Sequence, residues 1–563
     1  MYRVVAVVLA LFAAAPCRAA AVPEDLLTLV PSDPGICLIV RDVSGHMDRL
    51  WGSPFADKLR NSPNTKLALA EAGKKYEELD KQLQGYLQTS IREIRDGIFG
   101  DGFVFAFWPG KNPADERGLF LVQARKPELL STLVKRLNEL ESKSGNMAAV
   151  ETRQYGGMDY WRRVEKKGDI NFVLVRNGLV AVSQDEATLK RVIDLLGNRP
   201  SASPVWQQVG ELGIADALAV LWLNPRVFDP GMQEKVKSAP ASEAAFHQVL
   251  LGIWKEITTV AFALRLDADL EFSVHIRGQA GWTAGKYGTA LGSVAGLWQR
   301  FPENSVLAVA GLVDFSGIAE AISMAMPSDA KVKAQVLMGA VGQAMSVQDF
   351  VHDVLPNLGP NWGFFVAAPP PDRKGWFPDF VIALQVRGKA GERPLEQAIF
   401  DAVRTAGGLI VFTHAQDGME LKTEQQEKVK VISIANTKQF PPGCQPAFAV
   451  KAGCLIAASS PAAVRRFGDG EIRTEKPSGN SMAFQARFSF GQAVAYLRDK
   501  ERRSSLVATL GQAHQQSPAE VDQQIEHLLS VLEFFRQAEM QVQNSADRVV
   551  LSMRLAFAEP LRK

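Results

Sequence analysis

Two short stretches of the chain place an acid two residues before a serine, with a glycine directly after the serine. They are Asp42-Val43-Ser44-Gly45 and Asp314-Phe315-Ser316-Gly317. An acid close to a serine could supply the base and the nucleophile of a covalent mechanism. The same residues are also typical of a strand that ends at a helix cap, because Asp and Ser accept backbone N–H groups and Gly permits the turn. We favour the cap, and the recurrence then indicates a repeated strand-to-helix turn.

A second candidate for chemistry is the segment from Gly278 to Lys286, which follows a predicted strand and has the outline of a phosphate-binding loop. It departs from that motif at two positions. Ala280 stands at the first glycine, and Tyr287 replaces the Ser or Thr that would hold magnesium. The sequence therefore does not predict a nucleotide site here.

The histidines offer no metal pattern, because none is spaced from a second ligand as established sites require. The motifs GxSxG, HExxH and CxxC and the EF-hand loop are also absent from the sequence. We therefore predict no catalytic, cofactor-binding or metal-ligating residue, and no cofactor. The seven histidines are His46, His247, His275, His352, His414, His514 and His527.

Ten tryptophans are many for this length, and eight of them fall near predicted strand ends and loops. Exposed aromatic side chains there could form a binding face for a glycan, a lipid or a protein. Packing in the core is the alternative, and the sequence does not separate the two. The eight are Trp108, Trp161, Trp206, Trp222, Trp282, Trp298, Trp362 and Trp376.

The four cysteines do not form a disulfide scaffold or a zinc site. Cys37 and Cys454 lie in apolar, strand-like runs, which favours buried free thiols. A bridge between Cys444 and Cys454 is the alternative. Cys17 is expected to leave with the N-terminal segment described next.

Residues 1–21 are predicted to be a signal peptide. Arg3 precedes an uncharged, largely apolar run from Val4 to Ala15, and small residues follow as a cleavage site requires. The run is too short to span a bilayer comfortably. Lipidation of Cys17 and an uncleaved anchor are the alternatives. We expect an exported protein that is periplasmic, bound to the cell envelope or extracellular.

Charge and composition limit the classes of molecule that the chain is expected to bind. The full chain of 563 residues carries 63 Lys and Arg against 61 Asp and Glu. Loss of Arg3 and Arg18 with the signal peptide leaves 61 basic residues, and a neutral chain has little attraction for nucleic acid. No later run of 18 or more apolar residues is free of charge, so no transmembrane span is predicted in the mature chain.

An internal duplication is predicted, because five segments recur in the same order. Each pair shares a pattern of strands, turns and helices rather than close identity. Two tight turns, at Arg176-Asn177-Gly178 and Lys451-Ala452-Gly453, match within them, and so do Gly157-Met158 and Gly418-Met419. The matched segments are 29–45 with 300–317, 96–110 with 353–371, 117–140 with 376–403, 155–196 with 416–467, and 242–278 with 517–557.

The predicted domains follow from this repeat: copy one spans residues 22–278 and copy two spans 301–563. Residues 279–300 join them, and glycines recur there every three or four positions. This spacing predicts either a helix packed closely on its surroundings or a looser linker. The polar residues of this stretch argue against a transmembrane dimerisation helix. Strands without strict β-α-β alternation predict an α+β fold, in which each copy has an antiparallel or mixed sheet with helices against one face.

The opening LVPSDPGICLIVRDVSG, after a signal peptide and before a helix, resembles that of a group of secreted bacterial proteins classed only as a domain of unknown function. The resemblance covers most of the mature chain in architecture. It implies an envelope or extracellular location, and it implies no activity, cofactor or catalytic residue.

Three functional hypotheses remain from the sequence. The first is a non-enzymatic exported protein of the envelope that binds a protein, glycan or lipid partner or serves as a scaffold. The second is a hydrolase of unfamiliar type, with an active site assembled from residues distant in sequence. The third is a structural component of the envelope.

Overall fold

The structure is a computed structural model that describes residues 23–558 with interruptions. The residues left out within this range are 111, 113–114, 146, 241–243, 268, 283–291, 318, 321–331, 334–335, 337, 340–341, 344, 346, 348–349, 371–372, 374, 391–392, 427–428, 437–439 and 469–480. The predicted signal peptide lies outside the described residues. Among those that are described, no helix combines the length and the apolar character that a membrane span requires.

The chain divides into two compact units. Unit 1 contains the chain up to Ala280 together with the residues from Ala556 onward, and unit 2 runs from Gly281 to Leu555. For residues 279–300, predicted as a connecting helix or a looser linker, one continuous helix is excluded because Gly281 and Gly292 have φ angles of 76° and 89°. Positive φ belongs to turns, not to an α-helix. Among the residues of this stretch that the structure describes, a helix covers Ala295–Trp298.

In the described part of unit 1, a short helix precedes the first strand. Its strands are β1 (Ile36–Arg41), β2 (Gly102–Trp108), β3 (Arg117–Gln123), β4 (Met147–Tyr155), β5 (Met158–Glu165), β6 (Ile170–Arg176), β7 (Leu179–Ser183), β8 (Ala219–Leu223), β9 (Ile257–Leu266) and β10 (Asp269–Gly278). Its α-helices are α1 (Pro23–Leu27), α2 (Val43–Trp51), α3 (Pro54–Asn61), α4 (Pro63–Leu87), α5 (Ile91–Ile94), α6 (Pro127–Ser144), α7 (Glu186–Gly197), α8 (Pro204–Glu211), α9 (Asp229–Lys237) and α10 (Ala244–Glu256). A π-helix covers Arg95–Phe99, and a 3₁₀-helix covers Pro225–Phe228.

The strands of unit 1 form one antiparallel sheet in the order β4-β5-β6-β7-β3-β2-β1-β8-β9-β10. Strand β1 lies at its centre, where it pairs with β2 on one side and with β8 on the other. The registers place Cys37 opposite Ala106 and opposite Trp222.

Unit 2 is built from a similar set of elements. Its strands are β11 (Ser305–Leu312), β12 (Leu358–Ala367), β13 (Asp379–Val386), the short pair β14 (Lys389–Ala390) and β15 (Arg393–Pro394), β16 (Glu420–Gln426), β17 (Val429–Ala435), β18 (Ala447–Lys451), β19 (Cys454–Ala458), β20 (Ser481–Ser489), β21 (Phe535–Asn544) and β22 (Arg548–Phe557). Its α-helices with fully described bounds are α11 (Ala295–Trp298), α12 (Leu395–Thr413), α13 (Pro461–Arg466), α14 (Phe490–Arg498), α15 (Lys500–His514) and α16 (Pro518–Leu532), and residues 315–317 after Asp314 are also helical. A π-helix covers Phe350–Val354, and 3₁₀-helices cover Leu355–Asn357 and Ala415–Asp417.

Unit 2 has the antiparallel order β16-β17-β18-β19-β13-β12-β11-β20-β21. Beyond β21, a turn closed by a hydrogen bond from Ser545 N to Arg548 O leads into β22. This order repeats the first nine positions of the unit 1 sheet, strand for strand. The predicted match of Gly157-Met158 with Gly418-Met419 is wrong by one strand, because the first pair connects β4 to β5 and the second precedes β16.

The two tight turns predicted between apolar runs are confirmed. Asn177 and Gly178 join β6 to β7 with φ angles of 49° and 81°. Ala452 and Gly453 join β18 to β19 with φ angles of 54° and 72°. Two successive residues with positive φ give the turn whose twist matches that of the flanking strands.

The α+β class is confirmed, but the expectation of helices on one face of the sheet is wrong for unit 1. Ile39 belongs to a buried cluster that includes Leu189 of α7 and Val205 of α8. The next residue, Val40, belongs to a separate buried cluster that includes Leu133 of α6. Successive strand residues point to opposite faces, so both faces of this sheet are covered. Strand β2 is apolar at almost every position, which suits a strand buried on both sides.

Helix α7 begins at a partly buried acid, Glu186, whose contacts predict how the stability of unit 1 responds to pH. Glu186 accepts hydrogen bonds from Tyr160 Oη at 2.5 Å and from Arg153 Nη1 at 2.9 Å, and Lys190 Nζ lies 3.2 Å away. The Tyr160 hydroxyl, followed by the two cations, lowers the pKa of Glu186 from 4.5 to about 2. A carboxyl whose pKa is lower in the folded protein adds stability above its unfolded pKa and loses it as the pH falls.

We expect Glu186→Gln to reduce the part of the acid destabilisation that arises between pH 4.5 and about 2. Urea unfolding of the wild type and the variant at several pH values in this window would measure it. Glu116→Gln is a suitable control, since Glu116 is exposed. Equal loss of stability in the wild type and Glu186→Gln across the window would contradict the prediction.

Candidate functional site

Both Asp-x-Ser-Gly stretches act as helix caps, as predicted. Asp42 Oδ1 accepts a hydrogen bond from Gly45 N at 3.1 Å, and Asp314 Oδ1 accepts one from Gly317 N at 3.0 Å. Ser44 is completely buried and donates to Asp96 Oδ1 at 3.0 Å. A serine held in this way is not presented to a substrate.

Two of the histidines, His46 and His275, make structural contacts within unit 1. His46 Nδ1 lies 2.7 Å from Leu266 O, and His275 Nε2 lies 3.0 Å from Ser273 Oγ. Within the described part of the chain, no three His, Cys, Asp or Glu side chains are grouped as a metal ion would require.

The three cysteines described by the structure are free thiols, so the alternative of a bridge between Cys444 and Cys454 is wrong. Cys37 and Cys454 are buried, as predicted. Burial raises the pKa of Cys37 to about 12, which leaves it an inert thiol inside the sheet.

Four of the eight tryptophans pack in the cores, namely Trp108, Trp222, Trp282 and Trp298. One of these four, Trp222 of β8, also borders a cavity in unit 1. Trp222 therefore contributes both to core packing and to the wall of this cavity.

The cavity has a volume of about 160 Å³ and is partly enclosed. Four segments that are distant in sequence form it: the loop between α1 and β1, the start of α8, the end of β8, and the start of β9. Its lining residues are Val30, Pro31, Ser32, Asp33, Pro34, Ser203, Pro204, Val205, Gln208, Trp222, Asn224 and Thr258. We call this cavity the unit 1 pocket.

Hydrogen bonds and prolines hold the loop of the unit 1 pocket in place. Trp108 Nε1 donates to Ser32 O at 3.1 Å, and Asn224 N donates to Gly35 O at 2.9 Å. Pro31 and Pro34 restrict the backbone on either side of Asp33. The wall formed by this loop is thus tied both to β2 and to the residue that follows β8.

Gln208 has the best-defined orientation of the polar groups in the pocket. Its Oε1 accepts hydrogen bonds from Trp222 Nε1 and from Thr259 Oγ1, each at 3.1 Å. An indole N–H can only donate, so the oxygen of the amide must face Trp222. The amide nitrogen, with two hydrogens to donate, has no hydrogen bond to another residue that the structure describes.

The electrostatic character of the unit 1 pocket is set by one side chain. Asp33 is exposed and is the only Asp, Glu, Lys, Arg or His among the lining residues. Ser203 adds a buried hydroxyl that makes no capping hydrogen bond to α8. The site therefore combines one carboxylate, hydroxyl groups and a fixed amide donor beside apolar carbon.

Unit 2 places different residues at the positions that correspond to this pocket. Leu29 N bonds to Leu26 O and Arg300 N bonds to Leu297 O, both at 3.0 Å, so the two loops match at an offset of 271 residues. Val30 then corresponds to Phe301, which is buried and packs on Phe365.

The strand registers identify a second position at which unit 2 has a different residue from the unit 1 pocket. Trp222 lies opposite Cys37, and Arg487 lies opposite Ala308, which is 271 residues after Cys37. Arg487 therefore stands where unit 1 has Trp222, and its guanidinium lies 5.4 Å from the centre of the Trp298 ring. The two units differ at the residues that border the pocket.

This site was not predicted from the sequence, although Trp222 was one of the eight tryptophans considered for a binding face. Gln208, Asp33 and Thr258 belong to no motif. A comparison of the two copies at matched positions could have found part of the pocket, since the residues of the corresponding turn change from Ser32-Asp33 to Glu303-Asn304.

No protein-family model and no curated protein matches the chain. Among solved structures, crystal form IV of TP0453 aligns at 10% identity over 48% of this chain and 85% of that chain, with a TM-score of 0.24. Crystal form III of the same protein aligns at 12% identity over 46% and 81%, with a TM-score of 0.23. At these TM-scores the alignments establish neither a fold nor a function.

Proposed function

We propose that this chain is an exported, non-enzymatic binding protein of the cell envelope whose ligand site is the unit 1 pocket. The observation that carries this proposal is Gln208. Its carbonyl oxygen is held by Trp222 and Thr259, and its amide nitrogen is left to donate at the wall of a cavity. Polar groups held in place within a largely apolar concave site are typical of ligand binding.

The chemistry of the lining supports binding rather than turnover. Acid–base catalysis needs a group that takes a proton and often a second that gives one. Asp33 is the only acid or base among the lining residues, and it is exposed to solvent. No histidine, cysteine or lysine shares the pocket with Ser32 or Ser203.

Export is supported by residues 1–21, where Arg3 precedes an apolar run and small residues follow. An envelope location also agrees with the resemblance to secreted bacterial proteins. Two of the three free thiols, Cys37 and Cys454, are compatible with an oxidising location because they are buried and shielded from an oxidant, whereas Cys444 is half-buried.

We also infer that the chain is two tandem copies of one α+β unit. The shared strand order, the two matching hairpin turns and the constant offset of 271 residues between the loops before β1 and β11 support it. Since the copies differ at Trp222 and Arg487, the ligand site belongs to unit 1, and unit 2 has a separate role, for example as scaffold.

The proposal is tested by filling the pocket. Thr258 is exposed at the start of β9, so Thr258→Trp should fold and occupy the cavity. We expect native mass spectrometry of the protein purified from the cells that produce it to show a small-molecule adduct on the wild type. The adduct should be absent from Thr258→Trp.

Thr423→Trp is the matched control, because Thr423 is an exposed strand residue of unit 2. It should retain the adduct. An adduct on all three proteins would place the ligand elsewhere. A wild type without any adduct, whose melting temperature also fails to rise with any member of a metabolite library, would contradict a binding function.

A further inference from the structure

We propose that the unit 1 pocket accepts a neutral, hydroxylated ligand of about one sugar ring, either free or at the end of a glycan. This inference rests on the proposed function of the same pocket. It adds the chemical class of the ligand, which follows from charge, from the pairing of donors and acceptors, and from size.

Charge argues against an anionic ligand. The lining holds the Asp33 carboxylate and no Lys, Arg or His. A phosphate, sulfate or carboxylate placed there would face a like charge with no cation to offset its loss of hydration. Ligands recognised through an acidic group are therefore disfavoured.

Hydrogen bonding argues against a simple ammonium ligand. The pocket offers a donor at Gln208 Nε2 and an acceptor at Asp33. An ammonium group has three donors and no acceptor, so it could satisfy Asp33 but would leave the amide hydrogens of Gln208 without a partner. Desolvating such a donor without replacing its hydrogen bond weakens binding by about 10-fold or more.

A hydroxyl group satisfies both sides of the pocket. It can accept from Gln208 and donate to Asp33, and neighbouring hydroxyls on one ring can do both at once. The hydroxyls of Ser32 and Ser203 can serve as donors or acceptors for further groups, whereas the Thr258 hydroxyl, which donates to Arg277 O at 3.1 Å, is left to accept. This mixture suits a ligand that carries several hydroxyls.

The remaining walls suit the carbon skeleton of a ring. The pocket is also lined by the C–H groups of Pro31, Pro34, Pro204 and Val205 beside Trp222. The volume of about 160 Å³ is well below the roughly 300–1,000 Å³ of sites that enclose drug-sized molecules. One ring is therefore enclosed, and any longer glycan extends into solvent.

The ligand class is tested by NMR titration of the ¹⁵N-labelled mature chain. The probes are glucose and N-acetylglucosamine as neutral sugars, choline chloride as a cation, and sodium acetate as an anion. We expect at least one of the sugars to shift the side-chain amide of Gln208 and the backbone amides around Asp33. Choline and acetate should leave them unchanged.

Two variants separate specific binding from a general surface effect. Gln208→Glu keeps the oxygen that faces Trp222 but removes the amide donor, and Asp33→Asn removes the charged acceptor. Each should weaken sugar binding by about 10-fold or more, while Glu116→Gln should not. A free sugar and an oligosaccharide that ends in the same sugar distinguish the two sources, and tighter binding of the oligosaccharide would indicate a glycan end.

The outcomes also separate the two proposals. Shifts at Gln208 caused by choline or acetate, with none caused by the sugars, would overturn the ligand class and leave the pocket as a binding site. No shift with any of the probes, together with no adduct in the native protein, would overturn both. Sugar binding that survives Gln208→Glu and Asp33→Asn unchanged would overturn the donor and acceptor roles assigned here.

Discussion

Replacement of Asp379 by alanine is expected to destabilise unit 2 by about 3–5 kcal/mol. The Asp379 side chain is completely buried at the start of β13. Its carboxylate contacts Arg373, lies 2.7 Å from Arg466 Nη1, and is 3.4 Å from Ser460 Oγ. Removing it leaves two largely buried guanidinium groups without their shared anion, which costs far more than the net value of the ion pairs.

Urea unfolding of the full chain would measure this loss, with the transition of unit 2 followed by limited proteolysis. Asp57→Ala is the matched control, because the Asp57 side chain is 66% exposed and pairs with Arg60 at the surface. The control should change the free energy of unfolding by about 1 kcal/mol or less. An equally small effect of Asp379→Ala would show that the buried ion pairs do not hold β13 to α13.

Gly102→Ala is expected to destabilise unit 1 by about 3 kcal/mol or more. Gly102 opens β2 with a φ of 125°, a conformation that residues with a Cβ rarely adopt. An added Cβ would lie 2.1 Å from Val40 O and 2.8 Å from Arg41 Cα, both on the backbone of β1. Relief of that contact requires the two central strands to separate.

Gly157→Ala separates backbone strain from steric contact as the cause of the expected loss of stability. Gly157 also has a positive φ, of 73°, but an added Cβ would meet no atom within 4 Å. Its cost should be about 1–2 kcal/mol, which reflects backbone strain alone. Thermal unfolding of both variants beside the wild type measures the difference, and equal losses would contradict a steric role for the β1–β2 contact at Gly102.

Local features of the fold were predictable from the sequence. The turns at Asn177-Gly178 and Ala452-Gly453 follow from residues that tolerate positive φ between apolar runs. The capping box of α16 follows from Ser517 and Glu520, and both of its hydrogen bonds form. Each of these signals lies within a few residues, so no knowledge of distant pairing is needed.

Features that depend on distant pairing were missed. The five matched segments omit β8 and β20, although each lies beside the central strand of its sheet. Strand β8 is a short apolar run, AVLWL, which by itself resembles part of a buried helix as much as a strand. Its identity follows from pairing with β1, some 180 residues earlier in the chain, and helices on both faces follow from the same long-range assembly.

The candidate site could not be predicted from the sequence, for a related reason. The role of Gln208 depends on two donors, Trp222 and Thr259, that lie on different strands. Asp33 reaches the same pocket from a loop at the other end of unit 1 in sequence. No spacing rule links these positions, and an amide and a threonine carry no signature of binding until their partners are known.

The most direct test of the proposed ligand site is a crystal structure of the mature protein grown with the sugar that binds most tightly. The account predicts one ring in the unit 1 pocket, with hydroxyls in hydrogen-bond reach of Gln208 Nε2 and of the Asp33 carboxylate, and with the bond from Trp222 Nε1 to Gln208 Oε1 intact. A sugar bound elsewhere, with the unit 1 pocket holding only water, would contradict it.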